Sequence, residues 1–139
     1  MTVGRTLVAL GALLAASMAQ AVSTVDVGQM EVNGQEVRNV KCTLGEGGVF
    51  AIMGFVGQLA NHKEALDACV PAGAAFRVAW KWVGGKTKNV KVAASSAKPK
   101  NACVVAAVQQ TTAPTKGSCS AVILVGDTAG AGKAADALQ

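Results

Sequence analysis

Apolar and polar positions alternate most plainly between residues 76 and 94. Phe76, Val78, Trp80 and Trp82 fall on one side of an extended chain and Arg77, Ala79 and Lys81 on the other, because successive strand side chains point to opposite faces. Gly84-Gly85 interrupts the run, and Val90, Val92 and Ala94 then alternate against Asn89, Lys91 and Ala93. The pattern predicts a hairpin with one buried face and one basic face. An earlier hairpin is predicted between Val22 and Lys41, where Met30, Val32 and Val37 flank Asn33-Gly34, a pair suited to a two-residue turn. Between the hairpins the period becomes helical. Ile52, Phe55, Leu59, His62, Leu66 and Cys69 share one stripe until Pro71-Ala72-Gly73 stops it. Ser95-Ser96, with Pro99 in the first turn, marks the start of a second helix carrying Cys103, Ala106, Ala107 and Gln110. Ser118 to Val125 is the last predicted strand, and no internal repeat is evident. The expected class is α+β: an antiparallel sheet with two helices packed on one face, plus an N-terminal β-hairpin.

The two ends of the chain read differently. Arg5, the apolar stretch Leu7 to Ala16 and Ala19-Gln20-Ala21 make residues 1–21 a signal peptide. The expected protein is therefore periplasmic or secreted, begins at Val22 and has no transmembrane segment. At the other end, Gly130, Gly132 and Lys133 suggest a phosphate-binding loop. The pattern fails: Asp127 stands where the first P-loop glycine belongs, and Ala134 where the magnesium-binding hydroxyl belongs. The looser Gly-x-Gly-x-x-Ala form needs a following helix and parallel strand, and four residues follow Ala135. Residues 126–139 are expected to be a flexible Gly/Ala tail, residues 22–48 a hairpin extension, and residues 49–125 the main domain.

The 139 residues carry 13 Lys+Arg against 8 Asp+Glu; without Arg5 the balance is 12 minus 8, or +4. Cys42, Cys69, Cys103 and Cys119 form an even set with no Cys-x-x-Cys pair, beside a single histidine, His62. In an exported chain this favours disulfides over a metal site, with three connectivities open.

The stretches "VGQLANHKEALDACV" and "FRVAWKWVGGKTKNVKVAASSAKPKNACVVAAV" resemble the AgmX/PglI-type C-terminal domain of myxobacterial gliding-motility proteins, itself similar to the TonB C-terminal domain. His62, Leu66, Cys69, Gly84-Gly85, Ser95-Ser96 and Cys103 carry the resemblance, which covers residues 54–125. It implies a non-enzymatic protein–protein contact module of the cell envelope, tied to an envelope-spanning or motility machine. Members of that family usually sit behind a membrane helix and a long linker. A cleavable signal and three prolines point here to a freestanding domain. The resemblance also implies a Cys69–Cys103 bridge between the two helices, leaving Cys42 for Cys119. A self-associating component of an envelope or coat is the alternative function.

Candidate sites are few. His62 and Cys69 stand seven residues apart on one helix, about 10 Å, too far for a catalytic pair. No carboxylates are spaced for acid/base work, so no catalytic, cofactor or metal residues are expected. The last strand, with Ser120, Val122 and Leu124, is expected at a sheet edge where a partner strand adds. Lys81, Lys88 and Lys91 make a basic face suited to anionic surfaces. Trp80 and Trp82, beside Phe76 and Val78, are read as core rather than as stacking platforms for nucleic acid, which is not an expected partner.

Overall fold

A computed structural model describes residues 22–138; the predicted signal peptide lies outside the described residues. The chain runs β1 (Ser23–Val32), β2 (Gln35–Leu44), α1 (Gly48–Asn61), α2 (Lys63–Cys69), β3 (Ala74–Val83), β4 (Lys86–Ser95), a 3-10 turn (Lys98–Lys100), α3 (Asn101–Gln109), β5 (Gly117–Val125) and α4 (Thr128–Ala137). The class is α+β, as the alternation predicts. All five strands join one antiparallel sheet in the order β1-β2-β5-β3-β4.

Both predicted hairpins form, and both close through turn pairs with positive φ: Asn33 (49°) and Gly34 (85°), then Gly84 (59°) and Gly85 (79°). That backbone matches the right-handed twist of the flanking strands. The first hairpin is no appendage. β2 pairs with β5, and Val37, Val40, Cys42 and Leu44 enter the same core as Phe76, Val78, Trp80 and Trp82. The expected boundary at residue 48 therefore divides nothing.

The expected edge position of the last strand is overturned. β5 is the central strand, paired to β2 on one side and β3 on the other, so Ser120, Val122 and Leu124 offer no main chain to a partner. Its uninterrupted run Ala121 to Val125 is buried throughout, as a strand covered on both faces requires. On one face lie α1, α2 and α3, with Ile52, Phe55, Leu59, Leu66, Val104 and Val108 in the main core. Phe55 stacks on Trp80 at 4.4 Å, and Trp82 meets Trp80 edge-on at 5.8 Å.

The opposite face is half covered by the segment expected to be a flexible tail. α4 seats Ala131 and Ala135 against Ala75, Val122 and Leu124, and the Asp127 carboxylate caps it by accepting the Gly130 N–H at 3.0 Å. The glycines there serve close approach rather than mobility or phosphate. A Cβ at Gly126 (φ 78°) would collide with the Val70 carbonyl, and one at Gly130 with the Ala72 carbonyl. The turn at 70–73 and the start of α4 thus lie backbone to backbone, held by Asp127 N–H to Pro71 O at 3.0 Å and Gly126 N–H to Asp67 Oδ1 at 2.9 Å. At the far end of α4, Arg77 donates to the Leu138 carbonyl and Arg38 to Asp136 at 3.1 Å.

His62 does not join the buried stripe. The helix breaks at this residue (φ −109°), which caps α1 and precedes α2, and its side chain is exposed. Ser95 and Ser96 do not cap α3 through their side chains. Ser96 Oγ instead accepts the Ala75 N–H at 3.0 Å, fastening the end of β4 to β3.

Candidate functional site

Two surfaces are left uncovered by this packing. The first is the half of the sheet that α4 does not reach. A groove of about 640 Å³ crosses it, lined by Thr24 on β1, Lys41 and Thr43 on β2, Ser118 and Ser120 on β5, Lys81 on β3, and Lys91 on β4. Lys88 stands directly across from Lys81 in the β3–β4 register. The structure thus brings together the three predicted lysines and adds Lys41, which strand alternation alone did not place with them.

The signal for Lys41 is a repeated string. Asn39-Val40-Lys41 on β2 recurs as Asn89-Val90-Lys91 on β4, each preceded by a basic residue, Arg38 or Lys88. Both asparagines adopt the left-handed conformation (φ 51° and 55°), and both strands shift register at that level. An extra residue in a strand re-aims the side chains beyond it. Basic residues three apart, Arg38 with Lys41 and Lys88 with Lys91, therefore share one side of the sheet instead of alternating, Arg38 beneath α4 and the lysines beyond it. Among the described residues none of Lys41, Lys81, Lys88 and Lys91 makes an ion pair. Asp26 is the residue opposite Lys41 in the β1–β2 register.

The second surface is the β1 edge. Among the described residues β1 pairs only with β2, without a register break and without Lys, Arg or Pro along its ten residues. Beside it lies α1. Gln58 on one flank of α1 bonds both the N–H and the carbonyl of Thr112, at 2.8 and 2.7 Å, on the β4 side. The opposite flank, where a Cβ on Gly57 would lie 3.8 Å from Val32, therefore overhangs β1. That flank presents Val49 and Met53, each 46% exposed, next to Phe50 at 79%. Phe50 is the most solvent-accessible large apolar side chain of the described residues, and it sits on the helix whose flank overhangs the open edge of β1.

The cysteines pair as Cys42–Cys119 and Cys69–Cys103. The first links opposed residues of β2 and β5, the second the end of α2 to the start of α3. Cys69 consequently has no thiol to offer the exposed His62. Among the described residues no group of His, Cys, Asp and Glu is arranged to hold a metal, and no helix is long and apolar enough to cross a membrane. Trp80 and Trp82 are buried against Phe55, on the face away from the lysines. No family model, no curated protein and no solved structure matches the chain, so the resemblance to the gliding-motility and TonB domains rests on the quoted residues alone.

Proposed function

We propose that this chain is an exported, non-enzymatic interaction module of the bacterial cell envelope, and that it holds a partner protein by strand addition at β1. Two disulfides support an oxidising compartment. The observation that carries the contact is the open ten-residue edge of β1 beside Val49, Phe50 and Met53. An unpaired edge supplies main-chain donors and acceptors, and a neighbouring apolar shelf supplies the anchor that a strand alone lacks. The other edge is guarded in the usual ways. β4 carries Lys86, Lys88 and Lys91 and the Asn89 bulge, and its first residue is bridged to Thr112.

The test is a photo-crosslinking residue in place of Phe50, expressed in the producing organism. A discrete adduct is expected, and it should vanish when Gly28→Lys is added, since a side chain there meets no atom of the chain itself within 4 Å. Equal labelling from Lys98, or an adduct indifferent to Gly28→Lys, removes the reading. Self-association is the second reading, favoured by the opposite charges of the two edges: Asp26 and Glu31 on β1, three lysines on β4. Size-exclusion chromatography with light scattering separates the two. A monomer supports the partner, and a salt-sensitive polymer supports the assembly.

A further inference from the structure

The lysine groove is a separate site that strand addition at β1 does not use. We propose that it binds an acidic polysaccharide, a linear hydroxyl-rich chain bearing repeated carboxylate groups. Asp26 stands across from Lys41, but folding alone gives no reason for the charges on β3 and β4. Lys81 and Lys88 are opposed on neighbouring strands, a like-charge placement that destabilises a sheet. Neither has an acidic partner among the described residues. Two strand bulges bring Lys41 and Lys91 onto the same face, where regular alternation from Arg38 and Lys88 would send them to the other. A bound polyanion offsets the repulsion that this arrangement creates.

The dimensions fit a chain rather than a single small anion. β2 and β4 stand three strand spacings apart in the sheet, about 14 Å. Lys41 and Lys91 therefore lie toward opposite ends of a groove that runs across the strands, with Lys81 between them. Between the lysines its lining is uncharged: Ser118 and Ser120 on β5, with Thr24, Thr43 and Asn89, set hydroxyls and an amide among apolar positions such as Ala79. Those hydroxyls and that amide both donate and accept hydrogen bonds, which suits ring hydroxyls lying between charged groups. Single-stranded nucleic acid fits less well, because its bases stack on exposed aromatic rings. The two tryptophans of the sheet are 2% and 1% exposed, beneath α1 on the other face.

Polygalacturonate oligomers are the probe, added to the protein with both disulfides formed in a low-salt buffer of about 50 mM, with dextran as the uncharged control. Lys41→Gln with Lys81→Gln is compared with Lys98→Gln and Lys100→Gln, which remove the same charge from an exposed turn. The groove pair should weaken binding at least tenfold, roughly the effect of two lost charge-assisted contacts, and the turn pair less than twofold. Amide shift changes on titration should centre on Lys41, Lys81, Lys91, Ser118 and Ser120, a readout that holds even if a variant folds poorly. Equal losses from both pairs would reduce the effect to net charge and overturn the site. So would absence of binding to the folded protein, dextran binding as tightly, or preference for an oligothymidylate or an anionic vesicle. Because Phe50 and Gly28 are left intact, failure here leaves the β1 contact standing, and failure of the crosslink leaves the groove standing.

Discussion

Trp80 and Trp82 show what alternation reads and what it does not. Their inward direction is legible from the period of two, yet their polar ends meet different fates. The Trp82 indole N–H donates to Thr87 Oγ1 at 3.0 Å, and that oxygen lies 2.8 Å from both the carbonyl and the hydroxyl of Thr111. Trp80 Nε1 is buried with no hydrogen-bond partner among the described residues. A buried hydrogen bond that is lost costs more than an unpaired donor that is removed. Trp82→Phe should therefore cost about 2–3 kcal/mol and Trp80→Phe about 1 kcal/mol or less, combining the lost ring volume with these polar terms. Urea denaturation of the two variants checks this; equal costs would mean that ring volume alone decides. His62 is illegible in the sequence for a related reason. Its position on the stripe is correct for a continuous helix, but neither Asn61 nor His62 is the Gly or Pro that would announce a break.

At the scale of elements, strand and helix types are legible in the sequence while two placements are not. β5 comes last in the predicted sheet, which suggests an edge, but order in sequence does not fix order in space. Its five successive apolar residues do hold the signal, since an edge strand facing water would alternate. α4 is hidden by composition. Gly130 and Gly132 lower helix propensity, and the small residues that look like a linker are what allow the helix to touch the turn at 70–73 and lie flat on Ala75, Val122 and Leu124. Asp127, two residues after the strand and three before Gly130, is the readable cap. Asp127→Ala should cost about 1 kcal/mol, the usual worth of an N-cap. It should also raise hydrogen exchange in α4 ahead of the sheet. Thermal melting and exchange measurements check both, and a tail without structure would register neither.

The whole molecule is held by two bridges, the Cys69–Cys103 pairing implied by the resemblance and the Cys42–Cys119 pairing left by elimination, and their nesting becomes plain once they are drawn on the chain. Cys69–Cys103 spans 34 residues and lies wholly inside Cys42–Cys119, which spans 77. In the chain-entropy account a bridge stabilises by shortening the excursions of the unfolded chain, more so for longer loops. With the inner bridge intact, the unfolded loop that the outer one closes is cut from 77 to about 43 residues (77 minus 34). Loops of 34 and 43 residues differ in closure entropy by only about 0.2 kcal/mol. The inner bridge forms within a chain whose ends the outer one already ties, which lowers its own worth by about 0.5 kcal/mol, the difference between loops of 77 and 43. Replacing either cysteine pair by alanine should thus cost about 2–4 kcal/mol, the outer pair more by somewhat under 1 kcal/mol. The packing around them points the same way. Each pair has one or both sulfurs in the main core, with Cys42, Cys69 and Cys119 all at or below 6% exposure. Removing both pairs should cost about 0.5 kcal/mol more than the two single losses added together, because each bridge, while it remains, shortens the loop left to the other. Denaturant unfolding of the two single-bridge variants and of the double variant is the measurement. A loss at Cys42–Cys119 exceeding that at Cys69–Cys103 by more than about 2 kcal/mol would show that strand pairing between β2 and β5, and not loop closure, depends on that bridge.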